Sequence, residues 1–427
     1  MNQPLTGTLP ETIPHPTPII GLAAIARLGF SGTDLQPLWR KLVSRATGDL
    51  GDVGALLDLS IIELIAGRRD NRLTFQAQAL STQRLYRLAP ALETATPLRL
   101  LAFMAPGDFM ANTPIEFLLE GSNVRLDILY VSPGQPLPDL IPAHDLAFVA
   151  IAESEEHRPL LEEMRAVAAN WPVPVVNAPH LIERLTRDGA YALLRDVPGL
   201  SMPPNIRVGR AQLREIAEGE REIGESLPEC GFPMIVRPLS SHGGEALKKL
   251  SRLGDLKTYL ATRTEDEFYV APFIDYQGSD GLYRKYRIAL VDGRAYGCHL
   301  AISRHWMVHY LNADMPDNPA NRGEEDRFLT QFDADFGLRH SAALAAISER
   351  TELDYAIIDC AETADGQLLL FEIGTAMIVH SMDPADVFPY KKAAMEKVFA
   401  GFIDMLRARS GCAEAASPDT IRVSQRA

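Results

Sequence analysis

Apolar residues recur every three or four positions through the first part of the chain, and this spacing predicts helices. Three such stripes lie at residues 35–43, 53–65 and 75–88, with short polar joints between them. The residues before them carry several prolines and show no periodicity. We therefore predict an extended arm over residues 1–21, followed by a helical region over residues 22–95.

From residue 96 onward, short apolar runs alternate with helical patterns, which predicts a parallel sheet covered by helices. This sheet domain is assigned to residues 96–182. The loop at residues 106–112 follows the first predicted strand, at the edge where parallel sheets bind ligands. The sequence contains no G-x-G-x-x-G motif, so a dinucleotide site is not predicted. The predicted strands are residues 98–104, 124–131, 145–151 and 173–176.

A second segment of mixed strands and helices occupies residues 183–408. Within it, residues 312–323 are polar and rich in turn-forming residues, so we predict a mobile loop there. Residues 409–427 are polar and lack periodicity, and they are predicted to be a disordered tail.

Residues 353–380 contain two apolar runs around Asp365-Gly366, which is a strong hairpin signal. With these two residues at the centre of the turn, Asp359 falls directly opposite Glu372. Opposed carboxylates repel, and they need a proton or a cation between them. We therefore predict a magnesium platform, and we expect neutralisation of both acids to leave stability equal or higher in metal-free buffer. The alternative is a hairpin with two exposed acids on its solvent face.

Composition and charge narrow the class of protein. The chain has 427 residues, of which 46% are apolar and 23% are charged, so it can build several globular cores. Its formal net charge of -14 argues against general nucleic-acid binding. Four widely spaced cysteines indicate reduced thiols, and no long apolar run predicts a membrane span. We expect a cytoplasmic protein without nucleic-acid or membrane partners.

Three further patterns suggest a site for an anionic ligand. Arg237 precedes the small-residue loop 240–244, whose glycines let a backbone approach phosphates. The apolar strand 270–274 offers main-chain groups to a flat base. A basic stretch at residues 284–287 lies ahead of residues 303–306. Taken singly, each has a plainer reading, as a turn, a core strand or a solvated face.

In this order, the patterns resemble the ATP-grasp superfamily, most closely its glutathione synthetase and ribosomal-protein glutamate ligase branch. The resemblance covers residues 97–405. It implies an α/β fold with α+β lobes, in which a small parallel-sheet domain at 96–182 precedes a two-lobed ATP-grasp domain at 183–408. The helices of residues 22–95 resemble a single tetratricopeptide-like unit, which is either a cap or a docking surface for a protein or a second subunit.

The resemblance also implies roles for individual residues. Arg187 and Arg237 stand where family lysines contact nucleotide phosphates, and Arg287 matches the family arginine at the γ-phosphate. Asp359 and Glu372 match the magnesium carboxylates. The other implied nucleotide contacts are Ser241, His242, Gly243 and Gly244 in the phosphate loop, Ala271, Pro272, Phe273 and Ile274 in the adenine hinge, and Asp280 at the ribose. A turn role is an equal alternative for Asp280.

Two departures from the family pattern affect these roles. Arginine replaces lysine at both phosphate positions, which keeps the charge and can fork onto phosphate. The family's Glu-x-Asn on the last strand is here Glu372-Ile373-Gly374, so one metal ligand is missing. Asp383, Asp386 or a water could replace that ligand, and the number of metal ions stays open.

The activity that the resemblance implies is ATP-dependent carboxylate–amine ligation through an acyl phosphate. The expected cofactors are ATP and Mg²⁺, or Mn²⁺ in its place, and the expected substrates are amino acids or peptides. Arg304 is the second catalytic candidate after Arg287, and His305 and Trp306 are candidates for substrate recognition, with core packing as the alternative for Trp306. Two alternative functions are compatible with the same sequence: a nucleotide-binding scaffold without turnover, and a kinase-like phosphotransferase.

Overall fold

The protein is described by a computed structural model over residues 15–48, 51–88, 90–91, 97–241, 243–309, 312–411 and 420–422. The described residues form four sheets with helices packed on them, which confirms the predicted mixed α/β class. Among them, no helix combines the length and apolar character needed to cross a membrane. Cys230, Cys298 and Cys360 are buried and free, whereas Cys412 lies outside the described residues.

Four helices follow the N-terminal arm and pack around α3. Their shared core buries Ile25, Leu42 and Leu59, one from each of the first three helices. The helix bounds are α1 (Leu22–Phe30), α2 (Gln36–Ala46), α3 (Val53–Ile65) and α4 (Arg69–Thr82). The predicted helical region is therefore present up to the end of α4.

A six-stranded sheet follows the four helices along the chain. Its strands are β1 (Thr17–Ile19), β2 (Leu85–Leu88), β3 (Leu98–Met104), β4 (Val124–Tyr130), β6 (Leu146–Val149) and β7 (Val175–Val176). Their order is β1-β2-β4-β3-β6-β7, and the last four in that order are all parallel. The predicted parallel sheet is confirmed. Helices α5 (Ile115–Leu118) and α6 (Arg158–Ala169) lie in its connections, and α7 (Pro179–Ile182) follows its last strand.

The first two strands of this sheet correct the sequence-based prediction. The third apolar stripe was predicted as one helix to Leu88, but α4 ends at Thr82 and β2 begins at Leu85. β2 pairs antiparallel with β4 and parallel with β1. Both Leu85 and Tyr86 are fully buried, because a neighbouring strand is available on each side. Part of the predicted arm and helical region therefore belongs to the sheet domain.

Two lobes make up the rest of the chain. The sheet of the first lobe is antiparallel, has the strand order β11-β10-β12-β9 and packs on its own core. The sheet of the second lobe has the strand order β14-β13-β15-β16-β8. Its core is continuous with that of the six-stranded sheet. The first lobe contains β9 (Ile206–Gly209), β10 (Met234–Pro238), β11 (Lys248–Leu250), β12 (Glu267–Pro272), α9 (Arg210–Glu218), α10 (Ile223–Ser226) and α11 (Leu253–Ala261). The second contains α8 (Arg187–Leu194), β8 (Leu200–Ser201), β13 (Tyr283–Val291), β14 (Arg294–Ser303), α12 (Pro319–Thr330), α13 (Phe336–Arg339), α14 (Ser341–Thr351), β15 (Tyr355–Glu362), β16 (Leu368–Gly374) and α15 (Lys391–Ser410).

The β15–β16 hairpin has the predicted pairing of Asp359 with Glu372, but its loop differs from the predicted one. The Gly366 N–H donates to the Thr363 carbonyl at 2.9 Å, and Gly366 has φ of +81°, so the connection is a three-residue loop rather than a two-residue one. The pairs beside this loop are one residue away from the predicted register. A bulge at Phe371 restores the register, and Asp359 lies opposite Glu372.

Two other segments differ from their predictions. The predicted mobile loop at 312–323 contains the start of α12, which Asn318 caps by accepting from two backbone N–H groups. Its residues Ala313 and Met315 are buried, so this segment is anchored to the core. Within the predicted tail, Thr420–Arg422 forms β17, which pairs with β5 (Leu140–Pro142). The other tail residues beyond 411 lie outside the described residues.

Candidate active site

A cleft of about 650 Å³ lies where the six-stranded sheet meets the two lobes. One wall comes from the loops that follow β3 and β6, including Asp108 and Glu153. The other walls come from Arg187 at the start of α8, from Ser241 after β10, and from Glu372 near the end of β16. The carboxyl edge of the parallel strands is thus one side of the cleft, as the sequence predicted.

Arg187, Glu372 and Arg237 form a charged group at the cleft. Arg187 lies 3.2 Å from the Glu372 carboxylate, whose side chain is 42% exposed. Burial alone would raise the pKa of Glu372, but the two arginines attract its charge and lower that pKa. Burial, and then the like charge of Arg187, lowers the pKa of Arg237 to about 10. An anionic ligand would relieve the repulsion between the two arginines.

The side chain of Arg237 is hydrogen-bonded to the small-residue loop at Ser241. Its side chain is 6% exposed, its Nε donates to the Ser241 hydroxyl at 3.0 Å, and its Nη2 donates to the Ser241 carbonyl. Gly243 and Gly244 both have positive φ, a backbone conformation that favours glycine. The predicted loop residue His242 lies outside the described residues. The loop is therefore tied to the strand that carries Arg237.

Asp359 lies opposite Glu372 but is balanced by two protein cations. Arg287 donates to it from Nε at 2.8 Å and from Nη2 at 3.0 Å, and Lys285 donates from Nζ at 3.0 Å. Burial alone would raise the pKa of Asp359, but Arg287 and Lys285 hold it well below its usual range. The sequence argument required a proton or a cation beside the opposed acids, and β13 supplies two protein cations next to β15, so the pair does not by itself require a metal.

A signal for Lys285 was present in the sequence, although no role was assigned to it. Lys285 and Arg287 are two residues apart on a strand, so their side chains lie on the same face. Arg287 also donates from Nη1 to the Ile378 carbonyl at 3.0 Å. All of its nitrogen atoms are thus engaged with protein groups, and its proposed contact with a γ-phosphate stays a prediction.

The carboxylates of Asp359 and Glu372 are of the ligand type that a hard cation takes, although both oxygen atoms of Asp359 already accept from Arg287 and Lys285. Mg²⁺ is usually held by one or two carboxylates plus phosphate oxygens and water. Across the described part of the chain, no group of three or more His, Cys, Asp or Glu side chains could hold a metal. Of the suggested replacements for the missing ligand at Gly374, Asp383 pairs with Lys391 at 3.4 Å, and Asp386 is exposed.

Part of the predicted adenine hinge, residues 271–274, already forms hydrogen bonds within the sheet. β10 pairs with β12 through Pro272, and the Phe273 N–H donates to the Pro233 carbonyl at 3.0 Å. Pairing with β9 stops earlier, at Val270. The edge of Ala271 that faces away from β10 is therefore not covered by β9, and the hinge role of residues 271–274 stays a prediction.

Asp280 has the turn role that the sequence left open. Its carboxylate accepts from the Leu282 N–H at 3.1 Å and lies 2.7 Å from Arg284, which also binds Glu324. The Arg284 hydrogen bond lowers the pKa of Asp280 to about 2. The side chain does not line the cleft, so the structure favours the turn over the ribose contact.

The candidates after β14 lie outside the cleft lining. Arg304 and His305 are exposed. The Trp306 ring packs edge-on against Phe273 at 5.5 Å, and its carbonyl accepts from the Tyr276 hydroxyl. For Trp306, this contact favours the packing alternative.

Sequence reasoning missed the acidic loop after β6. Glu153 and Glu155 both line the cleft, and Glu155 pairs with Arg207 at 2.7 Å. Burial, and then the like charge of Glu155, raises the pKa of Glu153 to about 7. The available signal was position, because these acids follow a predicted strand in the same way as the loop 106–112 does. Arg69 of α4 is another cleft residue that the sequence did not indicate.

The fold and this site describe a mixed α/β protein with a cleft between a parallel sheet and two lobes, lined by arginines and by several acidic residues. No family model and no curated protein matches the chain. Among solved structures, it is similar to the VanG D-Ala:D-Ser ligase from Enterococcus faecalis, with 13% identity over 73% of this chain and 100% of that one, at a TM-score of 0.44.

Two further solved structures are similar over comparable lengths. The D-alanine–D-alanine ligase from Bacillus anthracis complexed with ATP shares 15% identity over 74% of this chain and 97% of that one, at a TM-score of 0.44. The RimK domain ATP-grasp protein from Sphaerobacter thermophilus shares 16% identity over 72% of this chain and 99% of that one, at a TM-score of 0.41.

Proposed function

We propose that this protein is an ATP-grasp enzyme that joins a carboxylate to an amine with ATP as the energy source. The observation that carries the proposal is the convergence of Arg187, Arg237 and Glu372 beside a loop with two glycines at positive φ. Charges of this kind, together with exposed backbone N–H groups, bind nucleotide phosphates. The motif order of the sequence supports the same assignment.

In the proposed reaction, the substrate carboxylate attacks the γ-phosphorus of ATP, which breaks the bond to the β–γ bridging oxygen and releases ADP. An amine then attacks the carbonyl carbon of the acyl phosphate, forms the amide with loss of a proton, and releases inorganic phosphate. Arg187 and Arg237 orient the phosphates and offset the charge that develops on them. When bound, Mg²⁺ or Mn²⁺ would neutralise phosphate charge, with Glu372 and Asp359 as its protein ligands. Glu153 lies in the same cleft, and its pKa is raised to about 7. A carboxylate with such a pKa can act as a general base that takes a proton from the incoming ammonium group.

We expect amino acids or peptides as substrates, because both carry the carboxylate and the amine that the reaction joins. The test is ADP formation from ATP and magnesium on addition of amino-acid pools, with the product identified by mass. Arg187→Met is expected to reduce ATP affinity about ten- to hundredfold, the scale of a lost charged hydrogen bond. Arg195→Met is the matched control, since Arg195 is exposed at the far end of the same helix.

The alternative of a nucleotide-binding scaffold has one specific observation in its favour. Both oxygen atoms of Asp359 already accept from Arg287 and Lys285, so metal binding there must compete with them. ATP binding without ADP formation for any amino-acid pool would support the scaffold. A product heavier by one phosphate group, with no condensed product, would identify a phosphotransferase.

A further inference from the structure

A second cavity of about 70 Å³ lies behind the cleft, between α3, α4 and the loop that follows β3. Asp108 lines both the cavity and the cleft, so the two spaces share this wall residue. Much of the cavity wall is apolar and includes Leu57, Met104 and Ile128. A space of this size has room for about five waters, or for a carboxylate on one or two methylene groups.

Helix α4 presents one polar face to both spaces. Arg69, Arg72 and Gln76 follow one another at three and four residues, which places them on the same side of the helix, and Leu73 lies four residues after Arg69. Arg69 and Leu73 line the cleft, whereas Arg72 and Gln76 line the cavity. Gln76 accepts from the Gly107 N–H at 2.9 Å and so ties α4 to the loop after β3.

Arg72 is a buried cation that Asp108 attracts electrostatically but that no described side chain contacts in an ion pair. Its side chain is 7% exposed, and its Nη1 is buried with no hydrogen bond. Within the described residues, the guanidinium forms no ion pair. The Thr113 hydroxyl lines the same cavity, is fully buried, and likewise lacks a hydrogen bond. Leaving such groups unsatisfied is costly, so the pair indicates an acceptor that binds between them.

The acids that line the cavity do not supply this acceptor. Glu116 accepts from the Ala23 N–H at 3.0 Å, and burial raises its pKa to about 7, so it carries little charge below that pH. Asp108 is half exposed, accepts from the Met110 N–H at 3.0 Å, and lies 4.0 Å from Arg69. Asp108 attracts the charge of Arg72, but within the described residues neither acid accepts a hydrogen bond from its guanidinium.

We propose that this cavity binds the terminal carboxylate of a substrate that extends from the cleft, with Arg72 and Thr113 as its donors. Arginine matches a carboxylate with two parallel hydrogen bonds, and the apolar wall accommodates the adjoining methylene groups. The helical N-terminal region then takes part in substrate selection and is more than a cap. The assignment to a ligase substrate rests on the proposed function, whereas binding of a carboxylate in the cavity does not.

The experiment measures binding of succinate to the full chain by calorimetry, without nucleotide. Succinamide serves as the neutral analogue, and inorganic phosphate as the other anion. We expect succinate to bind, and Arg72→Met to weaken it at least tenfold. Thr113→Val is expected to weaken it about threefold. Arg40→Met, which removes an exposed arginine of α2, is expected to leave the affinity unchanged.

Unchanged succinate affinity in either cavity variant would overturn the proposal, and Thr113→Val decides alone if Arg72→Met does not fold. Binding of phosphate or succinamide in place of succinate would also overturn it. In anion-free buffer, Arg72→Met is expected to melt no lower than wild type, because an unpaired buried charge is removed. A markedly lower melting temperature would make Arg72 structural. ADP formation, measured separately, tests the ligase function whatever the succinate result.

Discussion

Replacement of Asp359 by Asn is expected to destabilise the second lobe, even though it removes one of two opposed acids. Asp359 is 5% exposed and is the counter-charge of Arg287 and Lys285. Asparagine keeps the shape but leaves both cations without that charge. Loss of one partner from a buried ion pair typically costs about 3–5 kcal/mol. The sequence argument considered only the repulsion between Asp359 and Glu372, and it expected removal of both charges to leave stability equal or higher in metal-free buffer.

Glu372→Gln is the matched comparison, because it removes the opposing charge of the same pair. Its ion pair with Arg187 is 3.2 Å long, and its side chain is 42% exposed. An exposed pair of this kind contributes about 0–1 kcal/mol. Denaturant unfolding of wild type and both variants, in metal-free buffer at pH 7, measures the two free-energy differences directly.

The pH dependence gives a second, independent check. The pKa of Asp359 is lower in the folded state than its unfolded value of about 4. The stabilisation is therefore fully present above about pH 5 and is lost as the pH falls below 4 toward the folded pKa. The gap between wild type and Asp359→Asn should narrow accordingly. Equal or higher stability of Asp359→Asn at pH 7 would refute the assignment of Arg287 and Lys285 as its balancing charges.

Three other changes test separate parts of the structure. Arg237→Met should weaken ATP binding by about 1–3 kcal/mol in calorimetry, and unchanged affinity would remove Arg237 from the phosphate site. The free energy of unfolding of Glu116→Gln, relative to that of wild type, should increase by about 2–3 kcal/mol as the pH rises from 5 to 8. The reason is that burial raises the pKa of Glu116 to about 7, so ionisation of Glu116 in wild type opposes folding over this range. A flat difference in unfolding free energy would contradict this. Asn318→Ala should cost about 1 kcal/mol by loss of the α12 cap, and an unchanged unfolding midpoint would show that the cap is not formed.

The sequence by itself determined the strands of the parallel sheet and the charged pair of the hairpin. The run predicted at residues 98–104 coincides with β3, and the run at 124–131 differs from β4 by one residue. Such runs are local, so their length and flanking residues suffice. The pairing of Asp359 with Glu372 was also predictable, although the three-residue loop and the bulge at Phe371 were not, because their opposite register shifts cancel.

The tertiary structure decided which groups surround each predicted residue. Leu85 to Leu88 continue a helical spacing, yet they form a strand because β1 and β4 offer two pairing edges. Asp359 is balanced by cations from β13, about 70 residues earlier in the chain. Counting residue pairs outward from the hairpin turn cannot reveal neighbours that come from another strand. Arg72 has no sequence motif, and its burial depends on α3 and the loop after β3, which line the same cavity. Charge balance and burial depend on distant neighbours, whereas periodicity depends on adjacent ones, and so only the periodic features were fixed in advance.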